Sequence, residues 1–251
     1  MNNVFFHIGY PKTGTTWMQV ELFPKLDLNY LGKRYGRFNK EKRPKHNFYG
    51  KKINQILSLA KKAHGGGHLL VSEEGLLSDA DPDVVAKKIK KDTPDAKVII
   101  SIRNQSDILQ SRVNHNSRRF YLHNDIKKIY NYTKKHKDIE KGSNIFKYYN
   151  YNRTYDIFVK KFGKMNVHVL VYEALFFDES KELHRLVDFL DVNMPDCNLE
   201  KIKNKKYNAN LKKKKLKGFD KKTIGLIKKE FKKSNNLLSK KININLSEYG
   251  Y

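Results

Sequence analysis

Short apolar runs bounded by turns recur along the chain, with helical patterns between them. Val4 to Ile8 is one such run; Gly9-Tyr10-Pro11 ends it, so it reads as a buried strand entering a turn. The polar stretch Lys12-Thr13-Gly14-Thr15-Thr16 then leads into Trp17, Met18, Val20, Glu21 and Leu22, a helix that Pro24 stops. Ile53, Ile56, Leu57 and Ala60 recur at helical spacing ahead of Gly65-Gly66-Gly67. Leu69 to Val71 and Val98 to Ile102 are the next two predicted strands. Between them Asp81-Pro82 supplies an N-cap and first residue for a helix carrying Val84, Val85 and Ile89.

Further helices are predicted within 106–162, the clearest on Ile145, Tyr148, Tyr149, Tyr155, Phe158, Val159 and Phe162 before Gly163. Val167 to Val171 is a fourth strand, and Leu183, Leu186, Val187 and Leu190 mark the helix after it. Continuous apolar strands alternating with helices predict an α/β fold whose parallel sheet is covered on both faces. Ligands of such sheets bind beyond the carboxyl ends of the strands. At 251 residues, and with about 150 residues per domain as a guide, the expectation is one domain over 1–251.

Charge sharpens the picture. Lys+Arg 52 against Asp+Glu 26 gives a net charge of +26, which favours anionic partners: nucleic acid, anionic lipid, acidic glycan or a phosphorylated small molecule. Between 201 and 241 there are 17 lysines, opposed only by Asp220 and Glu230. That segment reads either as a solvated lysine-rich surface or as an anion-binding tail, and contact with an anionic membrane surface is a third option. One cysteine, Cys197, leaves no disulfide framework or multi-cysteine zinc site. With no apolar run of about 18 residues and no charged n-region ahead of an apolar stretch, the expected location is cytoplasmic.

The strongest chemical motif is Gly9-Tyr10-Pro11-Lys12-Thr13-Gly14-Thr15-Thr16-Trp17, set between a strand and a helix. Loop amides and a helix N-terminus in that arrangement cradle tetrahedral anions. Gly9 and Gly14 have the spacing of the nucleoside-triphosphatase loop, but Thr15 stands where its lysine belongs, and the lysine comes earlier, at Lys12. A nucleotide kinase or triphosphatase also lacks a Walker-B acid here, and a charge-driven polyanion-binding protein is the non-enzymatic alternative. After the strand at 97–102, Arg103 and, eight residues on, Ser111 are suited to grip a second phosphate.

Pro-Lys-Thr-Gly-Thr-Thr-Trp resembles the 5′-phosphosulfate loop of sulfotransferases that use 3′-phosphoadenosine 5′-phosphosulfate (PAPS). Arg103 and Ser111 resemble that family's 3′-phosphate site, and Tyr172-Glu173-Ala174-Leu175 its "YEDL" turn, with Ala174 for the usual Asp. The resemblance implies a P-loop-like three-layer fold, PAPS as donor with adenosine 3′,5′-bisphosphate (PAP) as product, and no metal. It implies that Lys12 neutralises the leaving and bridging oxygens while Thr13, Gly14, Thr15, Thr16 and Trp17 hold the 5′-phosphate. Tyr172 would approach the nucleotide, although a tyrosine closing a core strand has the same pattern. A late basic loop bearing Lys205, Lys206, Asn208, Lys212 and Lys213 would close on the 3′-phosphate.

For the base, Ser72-Glu73-Glu74-Gly75-Leu76 resembles the Ser-x-Glu-Gly-Leu pattern of bacterial relatives, which makes Glu74 the first choice and Glu73 the reserve. A glutamate here, where cytosolic members carry histidine, together with Arg118 and Arg119 in an aromatic insert, implies a carbohydrate hydroxyl or glycan acceptor; nucleic acid is not the expected partner. The tyrosines of the insert have core spacing. His64, His68 and His115 are rival bases, and His7, inside the first strand, reads as a hydrogen-bonded core histidine.

Overall fold

A computed structural model describes residues 3–32, 67–73, 76–77, 81–116, 145–177, 179–193 and 218–251. All four predicted strands form: β1 (Val4–His7), β3 (Leu69–Ser72), β4 (Lys97–Ile102) and β5 (Val167–Val171). An additional edge strand, β2 (Asn29–Gly32), completes a sheet of order β2-β3-β1-β4-β5 in which each pair is parallel. β1 sits in the middle, with Val4 beside Leu69 and Phe5 beside Lys97. It is flanked by strands that come much later in the sequence, so the loop after it emerges between two neighbouring strand ends.

Alternate strand residues feed two cores, because successive side chains point to opposite faces. Phe6, Leu69, Val71, Val98, Ile100 and Val169 face helices on one side. Those helices are α2 (Pro82–Asp92), α3 (Gln105–Asn116), α4 (Ile145–Tyr148), α5 (Tyr151–Phe162) and α8 (Lys221–Ile242). Phe5, Leu70, Ile99 and Leu170 face the other side, against the helical segment from Thr15 and against α7 (Glu179–Leu190), which follows the short α6 (Tyr172–Phe177). The result is an α/β fold of three layers. Full burial of a side chain such as Phe158 is worth about 1.5–3 kcal/mol.

The segment after the first loop is short α-helix (α1, Thr15–Trp17), then a π-helical stretch (Met18–Leu22), then a 3-10 turn (Phe23–Lys25) containing Pro24. Asp81 caps α2 by accepting from Asp83 N at 3.0 Å. The same carboxylate takes Arg153 Nη2 at 2.8 and 3.0 Å, tying α2 to α5. Among the described residues the tyrosines of the insert are core: Tyr148, Tyr149, Tyr151 and Tyr155 are buried, and Tyr10 packs against the first three, while Tyr121, Tyr130 and Tyr132 lie outside the described residues.

Of the lysine-rich segment at 201–241, the structure describes the second half. It forms α8, where Asp220 caps the start through Thr223 N at 2.7 Å. One stripe of α8, Thr223, Ile227, Phe231, Asn235 and Leu238, is buried against the first core. Inside, the amides of Asn235 and Gln105 exchange hydrogen bonds of 2.9 and 3.1 Å. That half is neither a solvated tail nor a loop; its lysines project from a helix that completes the core. The predicted helix around 53–60 lies outside the described residues.

Candidate active site

β1 stops at His7, and the chain crosses the carboxyl edge of the sheet still bonded to β4, with Ile8 N on Ile99 O at 2.9 Å and Tyr10 N on Ser101 O at 3.3 Å. A turn follows at Pro11-Lys12. Lys12 has φ +72, the value a type II turn requires at its third residue, and for a side chain other than glycine this costs about 1–2 kcal/mol. Two hydrogen bonds hold the turn. Thr13 Oγ1 donates to Tyr10 O at 2.6 Å, and Arg103 Nη1 donates to Lys12 O at 3.1 Å.

Gly14, at φ +75, caps α1 without any side-chain bond, and Met18 N reaches back to its carbonyl at 3.1 Å. The helix start thus lies at the carboxyl edge of the sheet, a place that favours a bound anion. Thr15 and Trp17 are buried, and Thr16 is half-buried. A Cβ on Gly14 would lie 2.4 Å from the ring of Tyr172. The first residue of α6 thus covers the loop.

Arg103 links the loop to the far side of the edge. Its guanidinium carbon lies 4.6 Å from the centre of the Tyr172 ring, and Nη2 is 3.7 Å from Asp107. Its Nε is buried and meets no acceptor among the described residues. The backbone behind it is pinned: Tyr151 donates its hydroxyl to Arg103 O at 2.6 Å, and Asn104 N donates to Glu173 at 2.8 Å. Glu173 also accepts from the Tyr251 hydroxyl at 2.8 Å; burial raises its pKa against those two bonds. Burial likewise raises the Tyr172 phenol, with the Arg103 charge opposing. Ser111, half-buried, lies one helical turn beyond Asp107 on α3.

At the adjoining strand end Glu73 is buried, and its amide donates to His7 O at 3.0 Å. Glu74 lies outside the described residues, as do His64, Arg118, Arg119, Lys205, Lys206, Asn208, Lys212 and Lys213. His68 is removed from the contest for the base. It precedes β3 at the amino edge of the sheet, where its Nδ1 accepts from Asn3 N at 3.1 Å, on the far side from the loop.

The chain matches the sulfotransferase domain family over residues 3–243. It belongs to that family. No curated protein matches its sequence. Among solved structures it resembles the sulfotransferase from Alicyclobacillus acidocaldarius at 18% identity and TM-score 0.62, with 100% of each chain covered. Mouse sulfotransferase SULT7A1 complexed with PAP gives 18% identity and TM-score 0.53, covering 99% of this chain and 90% of that one. The sulfotransferase domain from the curacin biosynthetic pathway gives 16% and 0.51, covering 78% and 76%. At these identities the likeness is one of fold. Within this sulfotransferase fold, the predicted Lys12, Thr13, Gly14, Thr15, Thr16, Trp17, Arg103 and Tyr172 do converge on one edge. What the pattern left unread is Ser72 and Ser101 as the partners that hold His7 under the loop, and the pinning of the backbone at Arg103 and Asn104 by Tyr151 and Glu173.

Among the described residues no three His, Cys, Asp or Glu side chains gather as metal ligands, and no helix is long and apolar enough to cross a membrane.

Proposed function

We propose that this sulfotransferase takes its sulfuryl group from PAPS and passes it to a hydroxyl of a carbohydrate. One observation carries the donor assignment: the anion loop and Arg103 are bonded to each other through Lys12 O, so a site for the 5′-phosphosulfate and a site for a second phosphate share one edge. The cradle is narrow, since a Cβ at Gly14 would enter the Tyr172 ring, and the buried Nε of Arg103 meets no acceptor among the described residues. Both features suit a nucleotide with anions at two ends.

Lys12 stabilises negative charge on the departing phosphate oxygen, and Thr15, Thr16 and the loop amides hold the 5′-phosphate. Arg103, with Ser111, binds the 3′-phosphate, and Tyr172 lies against the nucleotide. Glu74, or Glu73 in its place, removes the proton from the acceptor hydroxyl as the new O–S bond forms and the S–O bond to phosphate breaks, leaving PAP. Lys205, Lys206, Asn208, Lys212 and Lys213 close over the 3′-phosphate. In support, the chain that follows them re-enters beside Ser111, where Phe219 N donates to Gln110 Oε1 at 2.5 Å. Arg118 and Arg119 meet acidic groups of the acceptor. The carbohydrate assignment rests on the carboxylates after β3 and those arginines; the buried tyrosines lend it nothing.

Calorimetry with PAP and with adenosine 5′-monophosphate tests the donor. Wild type should prefer PAP, and Arg103→Ala should lose roughly ten- to hundredfold of that preference, the worth of a charge-assisted hydrogen bond. An unchanged preference in the variant would remove Arg103 from the 3′-phosphate site.

A further inference from the structure

Five fully or almost fully buried polar side chains from five segments lie in one row beneath the anion loop: Gln19, Ser72, His7, Ser101 and Thr13. Gln19 Nε2 is 3.0 Å from Ser72 Oγ, which is 2.7 Å from His7 Nδ1. His7 Nε2 is 3.1 Å from Ser101 Oγ, which is 2.9 Å from Thr13 Oγ1.

Proton accounting fixes the direction of each bond. Thr13 spends its one hydroxyl proton on Tyr10 O, so it accepts from Ser101. Ser101, having given its proton to Thr13, accepts from His7 Nε2, which therefore carries hydrogen. Gln19 donates to Ser72, and Ser72 donates to His7 Nδ1, which is bare. Burial holds the ring neutral, with its pKa lowered to about 3, as this assignment requires. The row leaves no space: a Cβ on Gly9 would lie 1.8 Å from Ser101 Oγ and 3.1 Å from His7 Nε2.

On either side of His7 the row meets the chemistry. Thr13 closes the turn that holds Lys12 at its positive φ, and Ser72 immediately precedes Glu73 and Glu74. We propose that His7, as the Nε2–H tautomer, is a positioning residue that sets the cationic lysine and the carboxylate base against each other across the sheet edge. It touches neither donor nor acceptor. The proposal rests on the transfer reading above, and it adds the part that fixes the distance between the two reacting sides. Displacement of a reacting group by about 1 Å can cost on the order of a hundredfold in rate.

The test uses the full chain and two hydroxyl deletions, Ser72→Ala and Ser101→Ala, which break the row on either side of His7. PAP binding to wild type comes first: its absence would overturn the transfer reading itself, and the positioning role with it. With binding established, release of PAP from PAPS to water and to sugar acceptors is compared. Each deletion should lower turnover by about ten- to hundredfold while PAP affinity moves by less than about threefold. A purely structural role would instead lower the melting temperature and leave turnover of the folded protein intact, and that result would overturn the proposal. Nitrogen-15 NMR of wild-type His7, which needs no variant, should find hydrogen on Nε2 and none on Nδ1 at pH 5; hydrogen on Nδ1 would equally overturn it.

Discussion

Replacing Gly14 by alanine should damage the protein through two separable effects. The first is conformational: at φ +75 an alanine costs about 1–2 kcal/mol more than glycine. The second is steric. The new methyl would sit 2.4 Å from Tyr172 Cε2 and 2.7 Å from Cδ2, so the ring must leave. Overpacking of that kind costs about 1–3 kcal/mol. The ring also abandons its contact with the Arg103 guanidinium at 4.6 Å, worth about 0.5–2 kcal/mol. Together these give a loss of about 2.5–7 kcal/mol. In a Tyr172→Ala background only the conformational part survives, so the same Gly14→Ala change should cost about 1–2 kcal/mol. A double-mutant cycle by denaturant unfolding measures the difference directly. If the two substitutions add within about 0.5 kcal/mol, Tyr172 does not cover the loop and the description of the site's roof is wrong.

Three further outcomes are expected. Lys12→Ala should depress turnover by about 10²–10³-fold with a smaller effect on PAP affinity, because the charge it meets develops during transfer; equal losses in binding and rate would make it a simple anchor. Glu74→Gln should leave PAP binding intact and slow transfer by about 10²–10⁴-fold, whereas Glu73→Gln should be milder; the reverse order, measured on one acceptor, moves the role to Glu73, and full activity in both passes it to His64 or His115. His7 and His168, both lowered to about 3 by burial, refuse protons that the unfolded chain accepts between about pH 3 and 6.5 and should make stability rise with pH there, while Glu182, raised to about 7 by burial, opposes part of that rise above about pH 4.5. Denaturant titrations of His7→Gln should show that slope reduced by up to about 1.4 kcal/mol per pH unit, and an unchanged slope would mean that His7 is protonated in the folded state.

The central strands were legible because burial on both faces leaves a mark that needs no partner to read: Phe5-Phe6, Leu69-Leu70-Val71, Val98 to Ile100 and Val169 to Val171 are apolar without alternation. β2 was not. Asn29-Tyr30-Leu31-Gly32 is half-buried, short and mixed, as an edge strand is, and only pairing with β3 makes it one. α8 was hidden by composition, since lysines dominate its sequence while Ile227, Phe231 and Leu238 carry its packing at a helical period. At the site, Lys12 and Arg103 announce themselves through local spacing. His7 is legible as a hydrogen-bonded core histidine, but its partners Ser72 and Ser101 look unremarkable in sequence because their meaning lies in register: His7 pairs with Ser72, and Ser101 stands beside them on β4.

The position of β1 in the sheet has a consequence for how the chain acquires its structure. Synthesis delivers Val4–His7 well before its partners Leu69–Ser72 and Lys97–Ile102, and parallel pairs of that kind cannot form as local hairpins. High contact order of this type slows folding and prolongs the exposure of sticky intermediates. Until β4 has left the ribosome, Val4-Phe5-Phe6 is an apolar edge with nothing to cover it, and the loop that will hold the reacting lysine has no floor. The roof of that loop comes later still, with Tyr172, so catalytic competence waits for β4 and then for the chain beyond β5.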